Sequence, residues 1–573
     1  MGPAWEGPLG ALPQADGTTV FRVWAPRAEA VAVRLASGDH ALEPAGEGVF
    51  EGRLPAAPGD DYRLVLDGGD AWPDPFSRWQ PEGVLGPSRV LDLDALTRTI
   101  RPGRPVPPKE LVLYELHVGT FTAEGTFEAA IDRLAGLREL GITAIELMPV
   151  ATFPGDRNWG YDGLYTFAPH PAYGGPEGLA RLVDAAHEAG IAVLLDVVYN
   201  HLGPGNEAME AFGPFLTDRY GTPWGQAVNY DGPDSGAVRG WAIRNALQWI
   251  EGYRMDGLRL DAVHAIFDAG ARPVLAELCE RVHAAAPGAL LVAESDRNDP
   301  RTIRAVEAGG LGFDAQWADE FHHALHVVLT GERDGYYADF GEIGQLAKAF
   351  RRPFVYDGGY SRERRRRHGA PAWDREPHRF VVFGQNHDQV GNRAFGDRPA
   401  AETLPLAAFC TLLSPFTPML WMGEEYGERR PFQFFTDHVD PFIADATREG
   451  RRREFAHFAA FAGEVPDPQD PTTFERSTLA PGAGDPALLD LYRRLIALRA
   501  ELAPECEPIA ADERGRTLRL RRGDIELLAN FAPAPARIAT EGSEIVLSTH
   551  DGVELSPGEA LLPARAGAAV RCR

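Results

Sequence analysis

Three regimes of hydrophobic patterning follow one another along the chain. The first ninety or so residues alternate in short apolar pieces, TTVFRVWAP, AVAVRL, GVFEGRLP and DYRLVLDG, cut apart by Gly, Pro and Asp clusters. Period-two alternation with turn residues between the runs predicts half-buried antiparallel strands, here a small β-sandwich over residues 1–95. The proline-rich RPGRPVPPKE closes a linker over 96–110. From 111 the runs become wholly apolar and alternate with amphipathic helical segments. LVLYELHVG, ITAIELMPV, IAVLLDVVYNH, MDGLRLDAV, ALLVAESD, FDAQWAD, RFVVFGQNHD and PMLWMGEEYG read as eight strands buried on both faces. Segments such as TFEAAIDRLAGLRELG, GLARLVDAAHEAG and RGWAIRNALQWIEGY supply helices between them. Strands of that kind belong in a parallel sheet covered by helices, and eight such units predict an α/β fold, a (β/α)8 TIM barrel over 111–502. After the helix DPALLDLYRRLIALRAEL the alternation of TLRLRRGDIELLANFAPAPARIA predicts a C-terminal antiparallel β domain over 503–573.

A chain of 573 residues is too long for one ordinary core, in keeping with several domains. Its net charge of −26 repels phosphate backbones and anionic lipid, so neither nucleic acid nor a membrane is expected as partner, whereas neutral sugars are not disfavoured. Cys279, Cys410, Cys506 and Cys572 lie far apart without a CxxC pair, which suggests neither a zinc ribbon nor a disulfide framework. The opening MGPAWEGPLGALPQADG lacks a basic segment followed by an apolar run, and FCTLLSPFTPMLWM is broken by proline. A cytoplasmic enzyme is the expectation. The basic run RERRRRHG (362–369) reads as a solvated loop, with a loop over the cleft that hydrogen-bonds sugar hydroxyls as the alternative.

Candidate chemistry sits where the apolar strands end. His201, Asp261, Glu294 and the pair His387–Asp388 each follow a different run, and in a parallel barrel the carboxyl ends of the strands converge on one face. Buried charges need partners, so carboxylates collected there should meet solvent, a cation or a substrate. Retaining glycoside hydrolysis needs such a set: one ionised carboxylate to attack the anomeric carbon and one protonated carboxyl to protonate the leaving oxygen. In DGLRLDAVHAI, Arg259 stands two residues before Asp261 on the same strand face. It would favour the ionised form of Asp261 as nucleophile. Glu294 follows the apolar ALLVA, where desolvation favours the protonated acid. Asp388 would stabilise oxocarbenium-like charge. His201 and His387 would hydrogen-bond sugar hydroxyls.

DVVYNH, DGLRLDAVH, the Glu of LLVAESD and NHD, in that order, resemble the four short motifs of the α-amylase superfamily of retaining glycoside hydrolases. The resemblance implies the same three roles for Asp261, Glu294 and Asp388, and places His201, Arg259 and His387 around the scissile sugar. It further implies substrate contacts for Tyr161, as a platform, and the adjacent Asp162 in NWGYDG, although Trp159 beside them fits a core position as well. His264 matches a position on the leaving-group side. Asn200 matches a calcium position of many amylases. The other oxygens that calcium requires cannot be assembled here, so no metal and no cofactor are expected. Within the superfamily, YELHVGTFTAEGTF is shared by branching, debranching and trehalose-releasing enzymes. ELMPVATFPGDRNWGYDG, AESDRNDPR, NHDQVGNR and above all WADEFHHALH resemble the maltooligosyltrehalose trehalohydrolases. That resemblance implies hydrolysis of the α-1,4 bond next to the terminal trehalose of maltooligosyltrehalose and related α-glucans, in trehalose biosynthesis. It makes His322 and His323 candidates for the trehalose pocket, a helix-capping or core pair being the alternative. A branching or debranching enzyme and a catalytically inactive glycan-binding barrel are the competing readings.

Overall fold

The computed structural model describes residues 2–455, 465–480, 482 and 484–572. Eight parallel strands close into a barrel in chain order: β1 (Leu113–Leu116), β2 (Ala144–Leu147), β3 (Ala192–Val197), β4 (Gly257–Leu260), β5 (Leu290–Ala293), β6 (Ala315–Trp317), β7 (Phe380–Phe383) and β8 (Thr417–Trp421). Each lies in one of the eight apolar runs. Alternate residues point inward, and Leu113, Ala144, Leu194, Val292, Trp317, Phe383 and Met419 pack the barrel interior. The same parity carried towards the carboxyl ends turns Glu115, Glu146, Asp196, Arg259, Asp261 and Glu294 inward above that plug. The polar floor thus follows from the period of the strands.

The helices follow their patterns with two exceptions. In RGWAIRNALQWIEGY the α-helix Ser235–Leu247 passes into a π-helical turn, Gln248–Gly252. TFEAAIDRLAGLRELG is two helices, Phe127–Ile131 and Leu134–Leu140. The second stops at Gly141, whose φ of 105° is left-handed and whose missing Cβ leaves room for Ile496. The last barrel helix, Pro486–Arg499, begins with Pro at its first position and with Asp485 accepting the Ala487 N–H at 2.9 Å.

Before the barrel, a four-stranded sheet (Gly10–Pro13, Thr19–Trp24, Val49–Leu54, Glu43–Gly46) faces a second sheet built on Val31–Leu35 and Asp61–Leu66. Phe21 meets Tyr62 edge-on at 5.0 Å between them. Trp24 against Phe215 and Phe76 against Phe167, both at 5.5 Å, seat this sandwich on the barrel. After the barrel, antiparallel strands form a five-stranded sheet from Glu507–Asp512 to Ala566–Cys572 and a three-stranded one (Ala536–Ala539, Glu554–Ser556, Glu559–Leu562). Arg499 and Arg522 donate to the carbonyls of Leu412, Leu413 and Ser414, at the carboxyl end of the helix Leu404–Leu412, and so bind barrel and C-terminal sheet together. One hydrophobic cluster runs through all three parts, from Phe21 by way of Leu179 and Leu488 to Leu527.

Several insertions escaped the sequence pattern. Among them are a two-stranded ribbon between β2 and β3 (Ala151–Thr152 with Tyr165–Pro169), helices Pro441–Phe455 and Pro471–Ser477 after β8, and the two that follow. A hairpin, Leu216–Thr222 with Gly225–Val228, lies between β3 and β4. Helices Asp319–Thr330 and Ile343–Arg351 and the small hairpin Tyr360–Ser361/Arg366–Arg367 lie between β6 and β7. Among the described residues no helix is long and apolar enough to cross a membrane.

Candidate active site

Arg259 is the hub of the barrel floor. It is wholly buried (0% exposed), and its guanidinium lies 4.2 Å from the centre of the Trp317 ring. Its Nη1 donates to Asp196 Oδ2 at 2.7 Å and to Asp261 Oδ1 at 2.9 Å, while Nη2 forms an ion pair with Glu294 Oε2 at 3.0 Å. Asp196 is Arg259's direct neighbour across the β3–β4 ladder. Burial works against the charge of Arg259, but the surrounding Asp196, Tyr161, Glu294 and Asp261 hold it firmly protonated. One guanidinium therefore draws together the two carboxyls that the sequence nominates as nucleophile and acid.

Each of the two is further constrained. Asn200 Nδ2 donates to Asp261 Oδ2 at 2.7 Å, so both oxygens of Asp261 are engaged. Its neighbour Ala262 adopts a left-handed conformation (φ 40°, ψ 51°), a strained state for a residue with a Cβ. That twist aims the Ala262 N–H at Glu294 Oε2, 2.7 Å away. Burial raises the Glu294 carboxyl above its ordinary range; Arg259 pulls it back and Asp261 adds to the rise. Strain next to one carboxyl thus positions the other.

A second chain of contacts crosses from β7. His387 N–H and Nδ1 both bind the Glu115 carboxylate, and its Nε2 donates to the Tyr161 hydroxyl at 2.8 Å. Tyr161 donates in turn to Asp196 Oδ2 at 2.6 Å. Burial disfavours the charged imidazole, yet Asp388 and Glu115 raise His387 to about 10, so it is an imidazolium at neutral pH. Asp388 Oδ1 lies 3.5 Å from its Nε2 and accepts from Asn392 Nδ2 at 2.9 Å. Burial, with Asp261 adding to it and Arg259 opposing, brings Asp196 to about 7.

Asp261, Glu294 and Asp388 open together on one cavity of about 570 Å³ at the carboxyl ends of the strands, a size suited to a small ligand. Tyr161, His201, His264, His323 and His387 line it as well. Three nominated residues do not: Arg259, wholly buried beneath the carboxyls it pairs with, is not on the wall, and neither are His322 and Asp162. His322 points away from it and packs among His326, Tyr337 and Phe383, a core position that follows from its place beside His323 on one helix. Asp162 is absent from the wall; its carboxylate accepts from Asn158 Nδ2 and lies 3.8 Å from His438. Asn200, matched by resemblance to a calcium position, has its amide committed to Asp261 and its oxygen to His201 Nδ1 at 2.7 Å. Among the described residues there is no group of three or more His, Cys, Asp or Glu side chains placed to hold a metal.

Other wall residues escaped sequence reasoning. Trp224, in the turn GTPWGQ of the β3–β4 hairpin, is 49% exposed and stacks on His201 with ring centres 4.8 Å apart. An exposed Trp in a Pro-Gly turn was a usable signal. Arg364 reaches the cavity from the basic run while Arg362 and Arg365 to Arg367 stay exposed. Asp319 and Tyr336, from the insertion after β6, complete that side.

Comparison with known proteins adds the following. The family model described as alpha amylase, catalytic domain, matches residues 71–213. A malto-oligosyltrehalose trehalohydrolase of Saccharolobus solfataricus is 45% identical over 87% of this chain and 88% of its own length. One of Rhizobium sp. (strain M-11) is 44% identical over 98% of this chain and 99% of its own. A crystallised Salmonella typhimurium protein described as an alpha amylase superposes with a TM-score of 0.90 at 38% identity, covering 99% of both chains.

Proposed function

The chain belongs to the malto-oligosyltrehalose trehalohydrolase family, and on that premise we propose that Asp261, Glu294 and Asp388 perform the chemistry in the cavity described above. The protein is a glycoside hydrolase that cleaves the α-1,4-glucosidic bond adjacent to the terminal trehalose of maltooligosyltrehalose, releasing trehalose and a shorter maltooligosaccharide. Branching, debranching and inactive binding-barrel readings give way to this one.

The observation that carries the residue assignment is the shared guanidinium. Asp261 and Glu294 flank Arg259 at 2.9 and 3.0 Å on its two terminal nitrogens, in keeping with the roughly 5 Å carboxyl separation of double displacement rather than the wider gap of direct water attack. Asp261 attacks the anomeric carbon while Glu294, raised by burial, gives its proton to the glycosidic oxygen, and trehalose departs. Water then enters, Glu294 takes its proton, and the sugar is released from Asp261 with its anomeric configuration retained. Asp388 faces the developing positive charge. The His387 imidazolium and His201 bind hydroxyls of the cleaved sugar, over Tyr161. His264 and His323 belong to the leaving side. Burial, reinforced by Arg364, lowers His323 to about 3, so it meets sugar hydroxyls as a neutral donor and acceptor. The four free cysteines support a reducing, cytoplasmic location.

The test is a product analysis after incubation with maltotriosyl-trehalose, amylose and glycogen. Trehalose and maltotriose from the first, at a kcat/KM well above those for the polymers, is the expected result. Amylose processed as fast, with no trehalose formed, would overturn the reading.

A further inference from the structure

Beyond Asp261, Glu294 and Asp388 the cavity wall carries two further carboxyls, Asp296 and Asp319. Asp319 begins the helix Asp319–Thr330 directly after β6, and the two-residue period that turns Ala315 and Trp317 into the barrel carries Asp319 to the cavity above Trp317. Asp261, Glu294 and Asp388 each take a hydrogen bond from the protein, from Arg259 and Asn200, from the Ala262 N–H and from Asn392 respectively. Among the described residues Asp319 has no such donor: the forces on it are burial and the charges of Glu294, Asp388, Arg259 and Asp296. Burial and the neighbouring carboxyls of Glu294 and Asp388 raise it well above the ordinary range, and in either protonation state its oxygens can accept a hydroxyl's hydrogen bond.

Half-buried on the wall and without a protein donor, the Asp319 carboxyl is open to whatever fills the cavity. The ligand of this cavity presents hydroxyls. The position of Asp319 selects which sugar. His323 stands one helical turn further along the same helix, Asp296 follows Glu294 by two residues, and both line the wall with it. β6 lies three strands round the barrel from β3, the strand that leads to His201. Because Glu294 protonates the departing oxygen, the sugar next to Glu294 and Asp319 is the one that leaves.

We infer that Asp319 is a specificity-determining residue, hydrogen-bonding a hydroxyl of the first glucose of the departing trehalose. The inference rests on the trehalose-releasing reading above. It is tested by comparing wild type, D319N and D319A on maltotriosyl-trehalose and on 4-nitrophenyl α-maltotrioside, whose nitrophenol leaving group has no sugar hydroxyl. The ratio of kcat/KM for the first substrate to that for the second falls roughly 10- to 100-fold in D319A. It falls less in D319N, which keeps both a donor and an acceptor. Should D319A not fold, D319N alone decides, through a ratio below that of wild type. An unchanged ratio, or an equal loss on both substrates, overturns the inference. A wild-type protein that releases no trehalose overturns the underlying reading instead, so the two failures are told apart.

Discussion

Asp261 and Glu294 differ in role because their surroundings differ, and substitution separates them. Asp261→Asn keeps shape and partners but removes the attacking charge, so kcat falls by roughly 10⁴-fold or more while binding of maltotriosyl-trehalose, measured by calorimetry, persists. Glu294→Gln removes only the proton. Turnover of maltotriosyl-trehalose collapses, whereas 4-nitrophenyl α-maltotrioside, whose leaving group needs no acid, retains activity. Equal loss on both substrates would remove Glu294 from the acid role. The acids and Arg259 were legible in the sequence because strand parity turns Arg259 and Asp261 to one side. The Ala262 twist was not, since a left-handed backbone at alanine leaves no compositional trace. His322 shows the limit of motif reading: adjacent histidines on a helix point about 100° apart, so only His323 reaches the cavity.

At the scale of elements, the eight strands stood out because burial on both faces imposes continuous apolar runs. The insertions after β3 and β6 carry no such signature, since surface segments owe their conformation to turns and to the barrel they rest on. They nevertheless supply Trp224, Tyr336 and Arg364 to the cavity, and for that reason this part of its wall was hidden from the sequence. The β3–β4 hairpin yields its own prediction. Trp224 is half exposed and packs chiefly on His201, so Trp224→Ala leaves the thermal midpoint within about 2 °C of wild type. It lowers kcat/KM for maltotriosyl-trehalose about 3- to 10-fold, the scale of one lost aromatic contact. A large drop in Tm with unchanged kinetics would make Trp224 a structural residue instead.

For the whole molecule, buried acids set the response to pH. Burial raises Asp196, Glu320 and Glu425 to about 7 and Glu424 to about 8, and His387 stands at about 10 against burial because Asp388 and Glu115 hold its proton. Each binds a proton in the folded state that the unfolded chain releases at lower pH. Their stabilisation is therefore complete below the unfolded values and lost as pH rises through the folded ones. For the carboxyls that window runs from about 4 to about 8, and for His387 from about 6.5 to about 10. Burial lowers His117 and His170 to about 4, with the opposite sign: stability rises with pH from about 4 to 6.5. Four carboxyls outweigh two histidines below pH 6.5, and above it nothing among these groups opposes the carboxyls and His387. These groups should therefore make thermal midpoints fall as pH rises, most plainly from pH 7 to 10. In His387→Gln the decline between pH 8 and 10 should flatten; an unaltered slope there would show that His387 is not charged in the folded protein.

The central guanidinium has a consequence for how the protein comes into being. Arg259 arrives on β4, while its counter-ions come from β3, from the turn after β4 and from the end of β5. Removing any one leaves a buried charge short of compensation, at a cost of several kcal/mol. The interior thus cannot be sealed before those neighbours are in register, and once it is sealed the reacting groups already stand in place. A closed barrel without its assembled reacting groups would hold an uncompensated buried charge, so fold and site stabilise one another.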